Sequence, residues 1–268
     1  MKFQKIGSRG LLFSFEDPFL TNVYVILGNK RVYVLDTFLG IDSMVPVKQE
    51  IRERGFDDYP LVIFNSHGDY DHYWGNAAFE NALIIGHELC RERILKEHEE
   101  ALQANKEQKK GEVILRPPSL VFHDRLSFPD DEVSFYHSPG HTTDSVTCWD
   151  SADKVLFVGD NVETPLPYIY NTNLDGFYFI LKSFYNLFDW KVMVASHAPA
   201  LYDRNLLERN IMYLESLKDW NIDPSSLSKD ELHIHIHNMQ WLAENPDHII
   251  LSEKAKQQLE EIKKITNH

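Results

Sequence analysis

Four side chains of types that bind divalent metals fall within the six residues 67–72, which read HGDYDH. They are His67, Asp69, Asp71 and His72. The segment directly follows residues 61–64, a short apolar run that predicts a strand buried on both faces. A loop that leaves such a strand can turn alternate side chains into one cavity. Imidazoles and carboxylates in this pattern therefore indicate a metal site at the end of a strand.

Three further candidate ligands follow other predicted strands. They are His141, Asp160 and His197. Because strand ends on one rim of a sheet can converge, four histidines and three aspartates would surround one cavity. Such a set suffices for two divalent ions about 3.5 to 4 Å apart, with one bridging carboxylate and open positions for water. A lone histidine at a strand end is more often hydrogen-bonded or exposed, so the prediction depends on the joint pattern.

The order of predicted elements indicates how these residues are positioned. Residues 21–36 predict a hairpin, residues 43–55 a helix with apolar positions three and four apart, and residues 88–110 a long charged helix. Strands dominate the middle of the chain, which predicts two packed sheets flanked by helices. Residues 221–228 are the one predicted boundary. We expect one domain over residues 1–220 and a helical extension over residues 221–268.

The ligand pattern resembles that of the metallo-β-lactamase superfamily over nearly all of residues 11–220. The H-x-H-x-D-H loop of that family corresponds to His67-x-Asp69-x-Asp71-His72, and its later ligands match His141, Asp160 and His197. The resemblance implies an α/β fold, an αββα four-layer sandwich of two mixed sheets flanked by helices, with the metal site on one edge. It also implies that His67 and His141 hold the first metal, that Asp71, His72 and His197 hold the second, and that Asp160 bridges the two.

Asp69 departs from the family pattern, because most members have an imidazole at this position. A carboxylate adds oxygen and one negative charge, which shifts metal preference from zinc toward manganese or iron and raises the pKa of a metal-bound water. We expect two divalent metal ions, zinc first, with manganese or iron as the alternatives. A second interpretation is that Asp69 is too short to reach the first metal and leaves that site weak or empty.

The ligand set predicts a dinuclear metal-dependent hydrolase. A metal-bound hydroxide would attack a small ester, thioester or lactone carbonyl, and Asp71 would act as the catalytic residue that orients the nucleophile. Asp69 suggests an alternative, a di-iron redox or sensor module of the same fold that binds oxygen or nitric oxide. Cys90 lies among helical residues and Cys148 in an apolar strand, so neither thiol is predicted to be catalytic.

Aromatic residues near the ligands allow two interpretations, walls of a substrate pocket or packing in the core. They are Tyr70, Tyr73, Trp74, Tyr168 and Tyr170. A second histidine cluster, the alternating His233, His235 and His237, would align only in a strand. Because residues 229–245 predict a helix, we interpret this cluster as part of a surface helix and not as another metal site.

Composition and charge limit the partners. The 268 residues carry a formal net charge of −14, which argues against nucleic-acid binding because clustered cations bind phosphate backbones. The chain start has no signal-peptide pattern, and no apolar stretch reaches about 18 residues. Two cysteines without paired spacing suit a reducing compartment. We expect a cytoplasmic protein with a small-molecule substrate and no membrane partner, and the sequence leaves homo-oligomerisation open.

Overall fold

A computed structural model describes residues 1–245 of the chain. The chain divides into two compact units. The first consists of Met1–Ser138, Asp144–Gly159 and Trp190–Tyr202, and the second of Pro139–Thr143, Asp160–Asp189 and the chain from Asp203 onward. The helical extension predicted over residues 221–268 is described only to residue 245, so residues 246–268 lie outside the described part.

Seven strands of the first unit form a mixed sheet in chain order. They are β1 Lys2–Ile6, β2 Gly10–Phe15, β3 Thr21–Leu27, β4 Val32–Leu35, β5 Leu61–Phe64, β6 Leu83–His87 and β7 Leu120–Phe122. Neighbours from β1 to β4 are antiparallel and neighbours from β4 to β7 are parallel. The antiparallel pair of β3 and β4 confirms the predicted hairpin, and β5 has its predicted bounds.

Five more strands of the first unit form a second mixed sheet in the order β12-β11-β10-β9-β8. They are β8 Arg125–Phe128, β9 Val133–His137, β10 Val146–Asp150, β11 Val155–Gly159 and β12 Val192–Ala195. Only β11 and β12 run parallel within this sheet. His197 follows the carboxyl end of β12 by two residues.

The two sheets pack together through alternate side chains of their strands. Tyr33 and Phe64 of the first sheet share one core cluster with Phe135 and Phe157 of the second. The intervening residues of β4 and β5 face the other way and pack against helices α1 Val45–Glu53 and α2 Glu88–Ala104. Burial on both faces explains why β5 reads as a continuous apolar run. The predicted α/β sandwich of two mixed sheets with helices is confirmed.

The second unit contains helices α3 Leu174–Asn186, α4 Asn205–Lys218 and α5 Lys229–Glu244. Helices α3 and α4 pack on each other. Helix α5 begins with a capping box formed by Ser228 and Glu231. The helix predicted around the three histidines is confirmed, but its surface position is wrong at His235. This side chain is 0% exposed, and its Nδ1 lies 3.2 Å from the hydroxyl of Tyr213.

Candidate metal centre

Three predicted ligands of the first unit meet at one point. Asp71 and His72 lie in a single 3-10 turn after β5, and His197 lies just after β12. One ligand atom from each lies within 4.8 Å of the other two. The Oδ2 atom of Asp71 is 3.5 Å from Nε2 of His72 and 3.4 Å from Nε2 of His197. The ends of β5 and β12 therefore bring these three side chains together.

The other ring nitrogen of each of these histidines is bonded to an acceptor. His72 Nδ1 lies 2.8 Å from Oδ2 of Asp36, and His197 Nδ1 lies 2.6 Å from the carbonyl oxygen of Leu20. Carbonyl and carboxylate oxygens accept hydrogen bonds, so Nδ1 carries the proton and Nε2 carries the lone pair. This is the tautomer that a metal ligand requires. Two such imidazoles and one carboxylate suit zinc, iron or manganese.

Asp36 also orients a third histidine, through Ser66. The Ser66 hydroxyl donates to Asp36 Oδ2 at 2.7 Å, so its oxygen accepts from His67 Nδ1 at 3.0 Å. Asp36 is buried directly after β4, and its φ of 58° is a left-handed conformation that aspartate tolerates better than most residues. Sequence analysis missed Asp36 as a functional residue, although it directly follows β4, the strand that pairs with β5.

Asn22 of β3 fixes the loop that carries His197. Its side-chain amide donates to the carbonyl oxygens of Ala195 at 2.7 Å and Ala198 at 2.6 Å, and its backbone N–H donates to Ser196 at 2.8 Å. Asn22 and the three residues that it binds are buried. Because the backbone is anchored on both sides of His197, these hydrogen bonds fix the position from which the imidazole projects.

Asp69 lies between His67 and a cation. Its Oδ2 is 3.1 Å from Nε2 of His67, and its Oδ1 accepts a hydrogen bond from Nη2 of Arg93 on α2. Burial favours the neutral guanidine, but the negative charges of Asp69, Asp144 and Glu97 outweigh it and raise the pKa of Arg93 above its ordinary value. A guanidinium therefore accompanies the unusual carboxylate, and the sequence pattern gave no sign of it.

The second unit holds His141 and Asp160 close together. His141 Nε2 lies 3.8 Å from Oδ2 of Asp160, and both side chains are buried. On the other side of the ring, His141 Nδ1 lies 3.0 Å from the carbonyl oxygen of Tyr168 and 3.5 Å from Oε2 of Glu163. His141 thus has the same tautomer as His72 and directs its lone pair toward a carboxylate.

Two of the predicted aromatic residues border His141. The ring of Tyr170 stands edge-on to it, with centroids 5.1 Å apart. The rings of Tyr168 and Tyr170 also contact His237 of α5 at 5.1 and 5.4 Å. One histidine of the predicted surface cluster therefore lies against the aromatic residues beside a candidate ligand.

The aromatic residues within residues 67–74 differ in how deeply they are buried. Tyr73 is 2% exposed and Trp74 is 0% exposed, and both belong to the core cluster on the helical side of the first sheet. This burial favours the packing interpretation for both residues. Tyr70 is partly exposed, and its hydroxyl donates to Gln108 at 2.9 Å.

Residues 17–198 match the family model of the metallo-beta-lactamase superfamily. The chain belongs to this superfamily. Two curated members of similar sequence are named acyl-coenzyme A thioesterase MBLAC2. The Bos taurus protein is 26% identical over 53% of this chain and 58% of its own length, and the Gallus gallus protein is 24% identical over 70% of each. The chain thus matches less than two thirds of the bovine relative.

Solved structures agree with this membership at the level of the fold. The metallo-beta-lactamase from Hirschia baltica superposes with a TM-score of 0.63 at 14% identity, over 80% of this chain and 96% of that chain. Within residues 1–245, no helix combines the length and apolarity needed to cross a membrane.

Proposed function

We propose that this protein is a metal-dependent hydrolase of small acyl substrates. The observation that supports it best is that Asp71 Oδ2 lies within 3.5 Å of Nε2 of both His72 and His197. The Nδ1 atoms of these two histidines are hydrogen-bonded to Asp36 and to the carbonyl oxygen of Leu20. A metal bound there would supply Lewis acidity and lower the pKa of water, which hydrolysis of a carbonyl compound needs. His72 and His197 would hold it, and Asp71 would orient the attacking water.

The proposal of two metals rests on the superfamily motif. It adds His67, Asp69 and His141 as ligands of the first metal and Asp160 as the bridging ligand. The choice of metal, zinc before manganese or iron, stays a prediction, as do the cytoplasmic location and the domain boundary at residue 220. Tyr70, Tyr168 and Tyr170 stay candidates for the substrate pocket, because each is partly exposed.

The thioesterase names of the curated relatives support a thioester as the first substrate class. Attack of water on a thioester breaks the C–S bond and releases a thiolate, which is a better leaving group than an alkoxide because a thiol is the stronger acid. Its departure therefore needs no residue that acts as a general acid. Small oxygen esters and lactones present the same carbonyl with a poorer leaving group. We therefore rank thioesters first, and esters and lactones second.

A metal assay combined with a substrate panel tests the proposal. The protein is loaded with zinc, manganese or iron, its metal content is measured, and thiol release from acyl thioesters is followed. His197→Gln should lose both bound metal and hydrolysis. His123→Gln is the matched control, because His123 is 73% exposed and contacts Glu88 outside the centre. A wild-type protein that binds no metal would refute the proposal, and iron loading with redox-dependent absorbance but no hydrolysis would favour the redox or sensor alternative.

A further inference from the structure

The carboxylate of Asp69 has two differently occupied oxygens. Oδ1 accepts from Nη2 of Arg93, whereas Oδ2 lies 3.1 Å from Nε2 of His67. Asp69 and Arg93 are 24 residues apart and come from a loop and a helix. The two oxygens therefore face different partners, one a cation on α2 and the other a candidate metal ligand.

Arg93 is held in place by groups other than Asp69. Its Nε donates to Glu97 one helical turn later at 3.0 Å, and its Nη1 lies 3.4 Å from Oδ1 of Asp144. Asp144 is 1% exposed, and its Oδ2 accepts the backbone N–H of Gly68 at 2.7 Å. Asp144 thus ties the guanidinium to the backbone of the same loop that carries Asp69.

The residue between the two ligands leaves room for this arginine. A Cβ atom at Gly68 would lie 3.2 Å from Cβ, Cγ and Cδ of Arg93. The aliphatic part of Arg93 therefore lies directly against the loop backbone, and a side chain at position 68 would displace it. Gly68, Arg93 and Asp144 together fix the position of the Asp69 carboxylate.

We propose that Arg93 is the positioning residue that lets Asp69 serve as a metal ligand. By occupying Oδ1, the guanidinium leaves Oδ2 as the single oxygen that Asp69 offers beside His67. Its positive charge also partly offsets the negative charge of Asp69, although Arg93 shares that charge with Asp144 and Glu97. This inference rests on the proposed metal centre. It adds a neighbouring cation to the sequence-based expectation that Asp69 contributes one extra negative charge.

Metal affinity in position 93 variants tests the role. Zinc affinity is measured by competition with a chromophoric chelator, and the melting temperature of each metal-depleted variant reports on the fold. Arg93→Gln should weaken binding of one zinc by about 10- to 100-fold, the usual effect of removing a group that orients a ligand. Arg91→Gln is the matched control, because Arg91 lies on the same helix but donates to the carbonyl oxygen of Pro118 and not to Asp69, and it should leave the affinity unchanged.

A double-mutant cycle separates this role from simple loss of stability. If Arg93 acts through Asp69, Arg93→Gln should cost no further zinc affinity in an Asp69→Asn background. An equal loss in both backgrounds, or no loss in Arg93→Gln alone, would overturn the inference. Should Arg93→Gln not fold, the zinc affinity of Arg93→Lys is measured in the same two backgrounds, since lysine keeps the positive charge but lacks the planar guanidinium group. Absence of bound metal in the wild type would refute the proposed function itself, so the two failures are distinguishable.

Discussion

The Nδ1 atom of His72 lies 2.8 Å from Oδ2 of Asp36, and both side chains are buried. The same carboxylate oxygen accepts the Ser66 hydroxyl, which in turn accepts from His67. One carboxylate at the end of β4 therefore sets the tautomer of two candidate ligands. The candidate metal centre therefore depends on a residue that is not itself one of the predicted ligands.

Asp36→Asn tests this dependence. Asparagine keeps the size of the side chain and tolerates the left-handed backbone, but it replaces one acceptor oxygen by an amide nitrogen, which accepts no hydrogen bond. Either the backbone N–H of Ser66 or the two donors at Oδ2, the Ser66 hydroxyl and His72 Nδ1, then lose their acceptor. We expect zinc affinity to fall by about 10- to 100-fold, as measured by chelator competition.

Asp131→Asn serves as the control for losing a buried carboxylate. Asp131 binds the Tyr33 hydroxyl at 2.7 Å and forms an ion pair with Arg31. Its replacement should lower the melting temperature and leave zinc affinity unchanged. If Asp36→Asn and the wild type bind zinc equally, the orienting role of Asp36 is wrong.

Metal removal should destabilise the protein, because a ligand that binds only the folded state adds to its stability. At a metal concentration 100 times the dissociation constant, the gain is about 2.7 kcal/mol. For a chain of this size that corresponds to a shift of about 5 to 10 °C in melting temperature. Calorimetry before and after chelation measures the shift. His72→Gln should melt at the same temperature with and without chelator, and a wild type that behaves in that way would contradict the metal centre.

The candidate ligands could be predicted from the sequence because each follows an apolar strand whose length and composition are local signals. The groups that orient them could not. Arg93 is 24 residues from Asp69, and Asp36 is 36 residues from His72. Such pairs form only when helix α2 and strand β4 take their places beside β5, and neither residue carries a local motif.

The predictions of secondary structure and burial were incomplete or wrong where the sequence signals are weak. Strand β1 reads KFQKI and is mostly exposed at the edge of its sheet, so it lacks the alternating burial that marks a strand. Helix α2 ends at Ala104 and not at residue 110, because Asn105 adopts a non-helical backbone and a separate 3-10 turn follows. His235 is buried although an alternating His-Ile pattern gives no helical period, since α5 turns this side chain toward Tyr213.

The two thiols should be unreactive in the folded protein. Cys90 is 0% exposed and Cys148 is 1% exposed, and burial raises the pKa of both thiols well above the ordinary value. Because the thiolate is the reactive form, we expect negligible reaction with a water-soluble disulfide reagent at neutral pH and reaction of both thiols after unfolding. Rapid labelling of either cysteine in the native state would show that the structure opens at that position.

The burial of His235 should make the protein less stable in mild acid. Desolvation lowers the pKa of His235 to about 4, and Nδ1 is engaged by Tyr213, whose own oxygen accepts from Asn238 at 3.0 Å. An unfolded histidine has a pKa of about 6.5. Between these values the unfolded state binds the additional proton, so stability falls as pH decreases through this window. The loss amounts to roughly 3 kcal/mol by pH 4 for this residue alone.

Urea unfolding of the wild type and of His235→Gln across this pH window measures the effect. Glutamine can accept from Tyr213 but does not titrate, so the variant should show a smaller decline in its free energy of unfolding. His123→Gln is the control, because an exposed histidine should keep the wild-type slope. Should His235→Gln fail to fold, the imidazole resonances of the wild type report the pKa of His235 directly. A pKa near 6.5 for His235 would contradict the interpretation of a neutral, buried histidine. An equal decline in the free energy of unfolding with decreasing pH for wild type and His235→Gln would contradict it as well.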